Sequence, residues 1–142
     1  MRETEFKQLM YKMFSQIVGC AFNLYNYWHS GMDELVYEAG LFMELESAGY
    51  KVHRQEEFPI YYKGYPSPVN RRIDLVVSDH NLGNVILELK ALDSVGDEQR
   101  KQLWSYMKLT NTRFGMLINF GPQKVYSENW ELDEATGICH RV

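Results

Sequence analysis

Cysteine is scarce in this chain: 142 residues contain two, Cys20 and Cys139, far apart and in no C-x-x-C spacing. That excludes a disulfide scaffold. The four histidines, His29, His53, His80 and His140, follow no zinc-ligand pattern either, which excludes a structural zinc site. No apolar run is long enough to span a bilayer, because Lys12, Ser15, Gln16 and Asn23 interrupt the one near the N-terminus. The opening Met1-Arg2-Glu3-Thr4-Glu5 mixes charges, unlike a signal peptide. Internal repeats and low-complexity linkers are also missing, and so is a Gly-rich phosphate loop, whose absence disfavours a small-molecule phosphoesterase. These absences predict a reduced, cytoplasmic protein with no membrane association. With 45% hydrophobic and 14% aromatic residues, 1–142 has enough apolar surface for the core of one domain.

An excess of positive charge is lacking as well. The net charge is −4, which argues at first sight against nucleic acid, since phosphate binding is mainly electrostatic. Its distribution argues the other way. Residues 1–50 hold 3 basic and 7 acidic side chains and residues 125–142 hold 1 and 4, whereas residues 51–124 hold 11 and 8. Arg54, Lys63, Arg71, Arg72, Arg100, Lys101, Lys108 and Arg113 lie in that positive middle, with Arg72, Arg100 and Lys101 the expected phosphate contacts.

The middle segment also carries the chain's main chemical signal. Arg72–Ser78 and Val85–Ala91 are rich in Val, Ile and Leu, alternate with period two, and flank the turn-forming Ser78–Asn84. They predict an antiparallel hairpin. If the turn is centred near Asn81, Asp74 falls opposite Glu88, and facing residues have Cβ atoms roughly 4.5–5.5 Å apart. Two carboxylates that close repel unless a cation lies between them or one takes a proton. Lys90 leaves the same strand face two residues later. Asp followed by Glu-x-Lys is the constellation of a metal-dependent phosphodiesterase. Taken alone, Leu87-Glu88-Leu89-Lys90 is also what any half-exposed strand looks like. The site reading therefore needs matching groups from elsewhere in the chain.

The flanking segments supply candidates. Apolar residues from Phe6 to Trp28 recur at three- and four-residue steps, predicting one long helix. A second helix is predicted from about Met32 to Ser47, stopping at Gly49, with Leu35, Tyr37, Leu41, Phe42 and Leu45 on its buried face. Glu34 and Glu38 project near the middle of that face, and a buried carboxylate needs a cation or hydrogen-bond donors. Lys51–Tyr62 reads as a strand and Lys63–Pro68 as a loop. A helix follows from about Glu98 to Leu109, with Gln102 and Tyr106 one turn apart. Phe114–Phe120 is a strand in which Gly115 permits close backbone approach. Gln123–Tyr126 and Gly137–Val142 suggest a small terminal hairpin.

This order resembles the minimal core of the PD-(D/E)XK nuclease superfamily, a restriction-endonuclease-like α/β fold with a mixed central sheet flanked by helices. Within it, Gly31-x-x-Glu34-x-x-Tyr37-Glu38, Glu44-Leu45, Gln55, Pro59–Gly64, Arg72-x-Asp74-Leu75, Glu88-Leu89-Lys90-Ala91, Gln102-x-x-x-Tyr106 and Leu117–Gly121 are similar to the GxxExxY family. At the end of the first helix, Asn23-Leu24-Tyr25 stands where that family commonly carries Glu-Val-His. The resemblance implies a Mg²⁺- or Mn²⁺-dependent nuclease acting on nucleic acid, with DNA favoured over RNA as the substrate. Asp74, Glu88 and the Leu89 main-chain carbonyl would hold the metal. Glu38, Asp74, Glu88, Lys90 and Gln102 would be catalytic, and Glu34 and Tyr106 would support them. The alternative is an inactive accessory or interaction protein of the same fold, and a homodimer is left open.

Overall fold

The computed structural model describes residues 1–142. Its first helix, α1 (Glu3–Trp28), buries Met10, Met13, Phe14, Ile17, Ala21 and Leu24, the stripe expected from three- and four-residue steps. Helix α2 (Glu34–Ser47) starts where the Asp33 carboxylate accepts the Val36 N–H at 3.0 Å and stops before Gly49, whose φ is 98°. No helix is long and apolar enough to cross a membrane. Six strands follow with one interruption: β1 (Lys51–Tyr62), β2 (Tyr65–Asp79), β3 (Gly83–Lys90), helix α3 (Asp97–Thr110), β4 (Phe114–Phe120), β5 (Val125–Asp133) and β6 (Ile138–Arg141).

The strands form a single sheet in the order β1-β2-β3-β4-β5-β6. Only β3 and β4 run parallel, because α3 intervenes and returns the chain to the same end of the sheet. The fold is therefore mixed α/β, a six-stranded mixed sheet flanked by helices. The helices α1 and α2 cover one face over Leu75, Val77, Val85, Leu87, Leu89, Met116 and Ile118, while α3 covers the other over Ile73, Val76, Ile86 and Leu117. Covered on both sides, β3 and β4 are almost continuously apolar, and a buried charge on either stands out. As expected, Gly115 lets α3 approach closely, since a Cβ there would lie 2.7 Å from Met107 Sδ.

Three expectations are corrected. Tyr65–Pro68 is strand rather than loop: only Lys63-Gly64 turn the chain, both with positive φ (50° and 82°), the two-residue geometry that matches strand twist. Leu35 is 59% exposed instead of buried. Gly40, where a Cβ would meet Trp28 at 2.8 Å, brings α1 close and rotates the buried stripe of α2 toward Tyr37, Leu41 and Leu45. The terminal hairpin is longer than its turn signals suggest, since β5 runs through Trp130 and pairs along β4.

Under α3 lies a buried ionic network. The side chain of Glu128 is fully buried and accepts from Arg100 Nη2 at 2.6 Å, Tyr126 Oη at 2.7 Å and Trp130 Nε1 at 3.0 Å. Burial pushes its carboxyl up, but the donors from Arg100, Tyr126 and Trp130 outweigh that and hold it down at about 2. A carboxyl lowered on folding stabilises fully above its unfolded value, about 4.3, and that stabilisation disappears as pH falls toward about 2. Glu128→Gln is expected to cost about 3 kcal/mol at pH 7, roughly 10 °C in Tm for a chain of this size. Thermal melts from pH 7 to 2 should show the wild type losing its advantage in that acid window.

Candidate metal and phosphodiesterase site

The β2–β3 ladder pairs Leu75 with Leu87 and Asp79 with Gly83, so its centre is Asn81 and the next facing pair is Asp74 and Glu88. There the ladder stops. Asp74 instead inserts its carboxylate between the separating strands, where Oδ2 accepts the Leu89 N–H at 2.9 Å. On the other side of β2 the β1 ladder also skips this level, passing from Arg54↔Leu75 to Glu56↔Ile73 and leaving out Gln55, which has φ 51°. The face alternation resets across this break: Leu75 and Val77 lie under α1 and α2, but Ile73 joins Val76 under α3. The interruption makes room for side chains where backbone would otherwise pair.

Glu88 is 3% exposed, and its Oε2 has no hydrogen-bond partner. Burial, together with a hydrogen bond to and repulsion from Asp74, pushes its carboxyl up to about 9, while Lys90 pulls the other way. Glu88 therefore carries a proton at neutral pH in the metal-free protein. Lys90 Nζ donates to Gln102 Oε1 at 3.0 Å, and Gln102 Nε2 donates to Tyr106 Oη at 3.0 Å. Strand β3 and helix α3 thus bring Glu88, Lys90, Gln102 and Tyr106 together.

Helix α2 reaches the same end of the sheet. Glu34 is half-buried and its carboxyl is raised by burial, with Lys90 lowering it and Asp74 and Glu38 raising it further. Glu38 is buried and also raised by burial, against the hydrogen bonds from Gln55 and Arg54. Its Oε2 lies 3.2 Å from Arg54 Nη2, and its Oε1 accepts from Gln55 Nε2. Both acids sense Asp74, but Glu38 is directed at β1. Gln55 and Arg54 were not among the expected site residues, although Gln55 stood in the resemblance motif. Asn119, also within a resemblance motif, was given no role either. Buried beside Lys90 on β4, its side chain accepts the Leu92 N–H and donates to the Leu92 carbonyl, both at 2.9 Å, fixing the chain where it leaves β3. A lone amide in the apolar run Met116–Phe120 was its signal.

Of the expected phosphate contacts, Arg72 and Lys101 are exposed, and Arg72 is 3.9 Å from Glu57. Arg100 is instead committed to Glu128 and Asp97 on the far side of α3. The pattern Arg100-Lys101 did not reveal this, because the partner Glu128 is distant in sequence.

A model of the PD-(D/E)XK nuclease superfamily matches residues 11–131. The chain belongs to that superfamily. The solved structure named "Crystal structure of SSO0001" aligns with a TM-score of 0.54 at 22% identity, covering 73% of this chain and 54% of that one. This chain thus spans about half the length of that protein, and the likeness is one of fold. No protein of curated function matches.

PD-(D/E)XK nucleases usually use divalent metal ions, and the residues here fit one. The donor set is all oxygen, two acids are crowded together, and Glu88 Oε2 is buried without a partner. No three His, Cys, Asp or Glu side chains converge, so main-chain oxygen and water would complete the coordination, the habit of Mg²⁺. If crowding is the dominant strain without metal, Asp74→Asn in chelator at pH 7 should melt no lower than wild type, because it removes a charge and keeps an acceptor for Leu89. Asp74→Ala should be less stable than Asp74→Asn by about 1–3 kcal/mol, the cost of an unpaired buried N–H, and should melt lower accordingly. Thermal melts of the three proteins check both statements.

Proposed function

We propose that residues 1–142 act as one domain of the GxxExxY type, a Mg²⁺- or Mn²⁺-dependent nuclease that hydrolyses phosphodiester bonds, in DNA rather than RNA. The observation that carries this reading is the Asp74–Glu88 pair at the break in the ladder, with Lys90 two residues on. Asp74, Glu88 and the Leu89 carbonyl would hold the ion. When bound, it supplies Lewis acidity at the phosphoryl oxygen and acidifies water.

The side chains do the rest. Lys90 Nζ holds the attacking water or the charge that develops on the phosphoryl oxygens. Gln102 keeps that ammonium in place and is itself kept by Tyr106. Glu38 and Glu34 deepen the negative field around Asp74, and the Arg54–Gln55 clamp fixes the Glu38 carboxylate against β1. Arg72, two residues before Asp74, and Lys101, one before Gln102, are left to meet phosphates now that Arg100 is engaged. The cysteines Cys20 and Cys139 are unbonded, in keeping with a cytoplasmic protein.

Cleavage of single- and double-stranded DNA and RNA with Mg²⁺ or Mn²⁺ tests the reading. Asp74→Asn and Lys90→Ala should each lose roughly 100-fold or more in rate. The two variants differ in a second readout: Lys90→Ala should keep an ion-dependent rise in Tm, and Asp74→Asn should lose it. A wild type that cleaves none of the substrates and melts alike with and without either ion would establish the accessory-protein alternative.

A further inference from the structure

Strand β3 pairs only with Leu75–Asp79 of β2, so from Tyr65 to Asp74 the second strand has no neighbour except β1. The two strands continue past the sheet as a free ribbon from Glu56 and Ile73 to the Lys63-Gly64 turn, roughly 20 Å at the usual strand rise. Its base is anchored by Phe58, whose ring meets Tyr106 edge-on with centroids 5.8 Å apart. An isolated two-stranded ribbon is marginally stable and exposes backbone. Its residues are therefore informative about what it meets.

Residues 58–72 carry Lys63, Arg71 and Arg72 and no acid, in a chain of net charge −4; the ribbon's two acids, Glu56 and Glu57, lie at its base, where Glu57 is 3.9 Å from Arg72. At the tip, Tyr61, Tyr62 and Tyr65 are 59%, 69% and 76% exposed. Tyr62 pairs across the ribbon with Tyr65, while Tyr61 pairs with Pro66 one level away, so rings emerge on both faces. Lys63 Nζ lies 5.4 Å from the Tyr62 ring centre. None of these rings packs into either core cluster. Arg72 links the ribbon to Asp74 on the same strand, so a chain lying along it would lead into the carboxylate pair.

We infer that this ribbon is a binding arm for an unpaired stretch of nucleic acid, with the tyrosines stacking on bases and Lys63, Arg71 and Arg72 following the phosphates. Stacking on exposed rings requires bases released from a duplex, and one cation in the turn, Lys63, with two near the base of the ribbon, Arg71 and Arg72, can meet a single backbone running its length. The arm deepens the nuclease reading by assigning a substrate with a single-stranded segment, and it takes its ligand class from that reading.

Binding of fluorescently labelled dT20, rU20 and a blunt 20-base-pair duplex, measured by anisotropy in chelator, separates the arm from cleavage. Wild type should bind the single strands more tightly than the duplex. Replacing Tyr61 and Tyr62 by Ser should weaken single-strand binding about tenfold per lost ring, and Lys63→Glu should weaken it without removing a ring. Replacing Arg71 and Arg72 by Gln should flatten the salt dependence. Unchanged thermal melts would show that the core has not moved, and Lys63→Glu is the control if the tyrosine variant fails to fold. Comparable affinities for dT20 and rU20 mark recognition common to both sugars, whereas preference for one assigns the arm to that polymer. No single-strand binding by wild type, or binding that neither the tyrosine nor the lysine variant weakens, overturns the arm. A wild type that binds dT20 or rU20 but cleaves nothing in Mg²⁺ or Mn²⁺ overturns the nuclease reading alone.

Discussion

The crowding of two acids, Asp74 and Glu88, at one level of the sheet is the constraint on which this end of the fold depends. Asp74 and Glu88 would be neighbours in an ordinary ladder, and the ladder ends where they would meet. The Leu89 N–H, with no partner on β2, bonds to Asp74, so the backbone and the acid each satisfy the other. Glu88 remains with one oxygen unpaired and its carboxyl raised to about 9. A protein interior tolerates such a pair only with a proton or a cation between the acids.

The surrounding elements restrain that pair in separate ways. Helix α3 ties Lys90 through Gln102 to Tyr106, a line of side chains reaching back into the core. Helix α2 presents Glu34 and Glu38, and β1 answers with Arg54 and Gln55. The positive φ of Gln55 accompanies the reset of face alternation that turns its amide toward Glu38. Strand β4 closes the exit with Asn119. Aromatic packing at the helix side, Tyr37 stacked on Phe120 at 4.4 Å, joins α2 to β4.

Charge has two distinct uses in the chain. The network of Glu128 with Arg100, Tyr126 and Trp130 is saturated with donors, which holds the carboxylate ionised and leaves little to bind anything else. The Asp74–Glu88 pair is starved of donors. Burial alone does not separate the two sites. Hydrogen-bond supply does, and for Glu128 it comes from Arg100 on α3 and from Tyr126 and Trp130 on its own strand.

The local pattern was sufficient to determine the strands β2 and β3, their turn centre at Asn81 and hence the facing of Asp74 and Glu88, because period-two alternation and register arithmetic are properties of the chain itself. Helices α1 and α2 were equally legible, as was the burial of Glu38, since a stripe at helical spacing needs no knowledge of its partner. Tertiary structure decided the rest. Arg100 looked free until β5 brought Glu128 under α3, and Leu35 looked buried until Gly40 set the approach of α1 to α2. Tyr65–Pro68 had loop-forming residues, yet Tyr65 and Pro66 pair with Tyr62 and Tyr61 of β1, and the other edge of β2 is open there, a position that tolerates proline. Long-range partners decide whether a charged or polar residue is spent on structure or left for function, and local spacing carries no record of them.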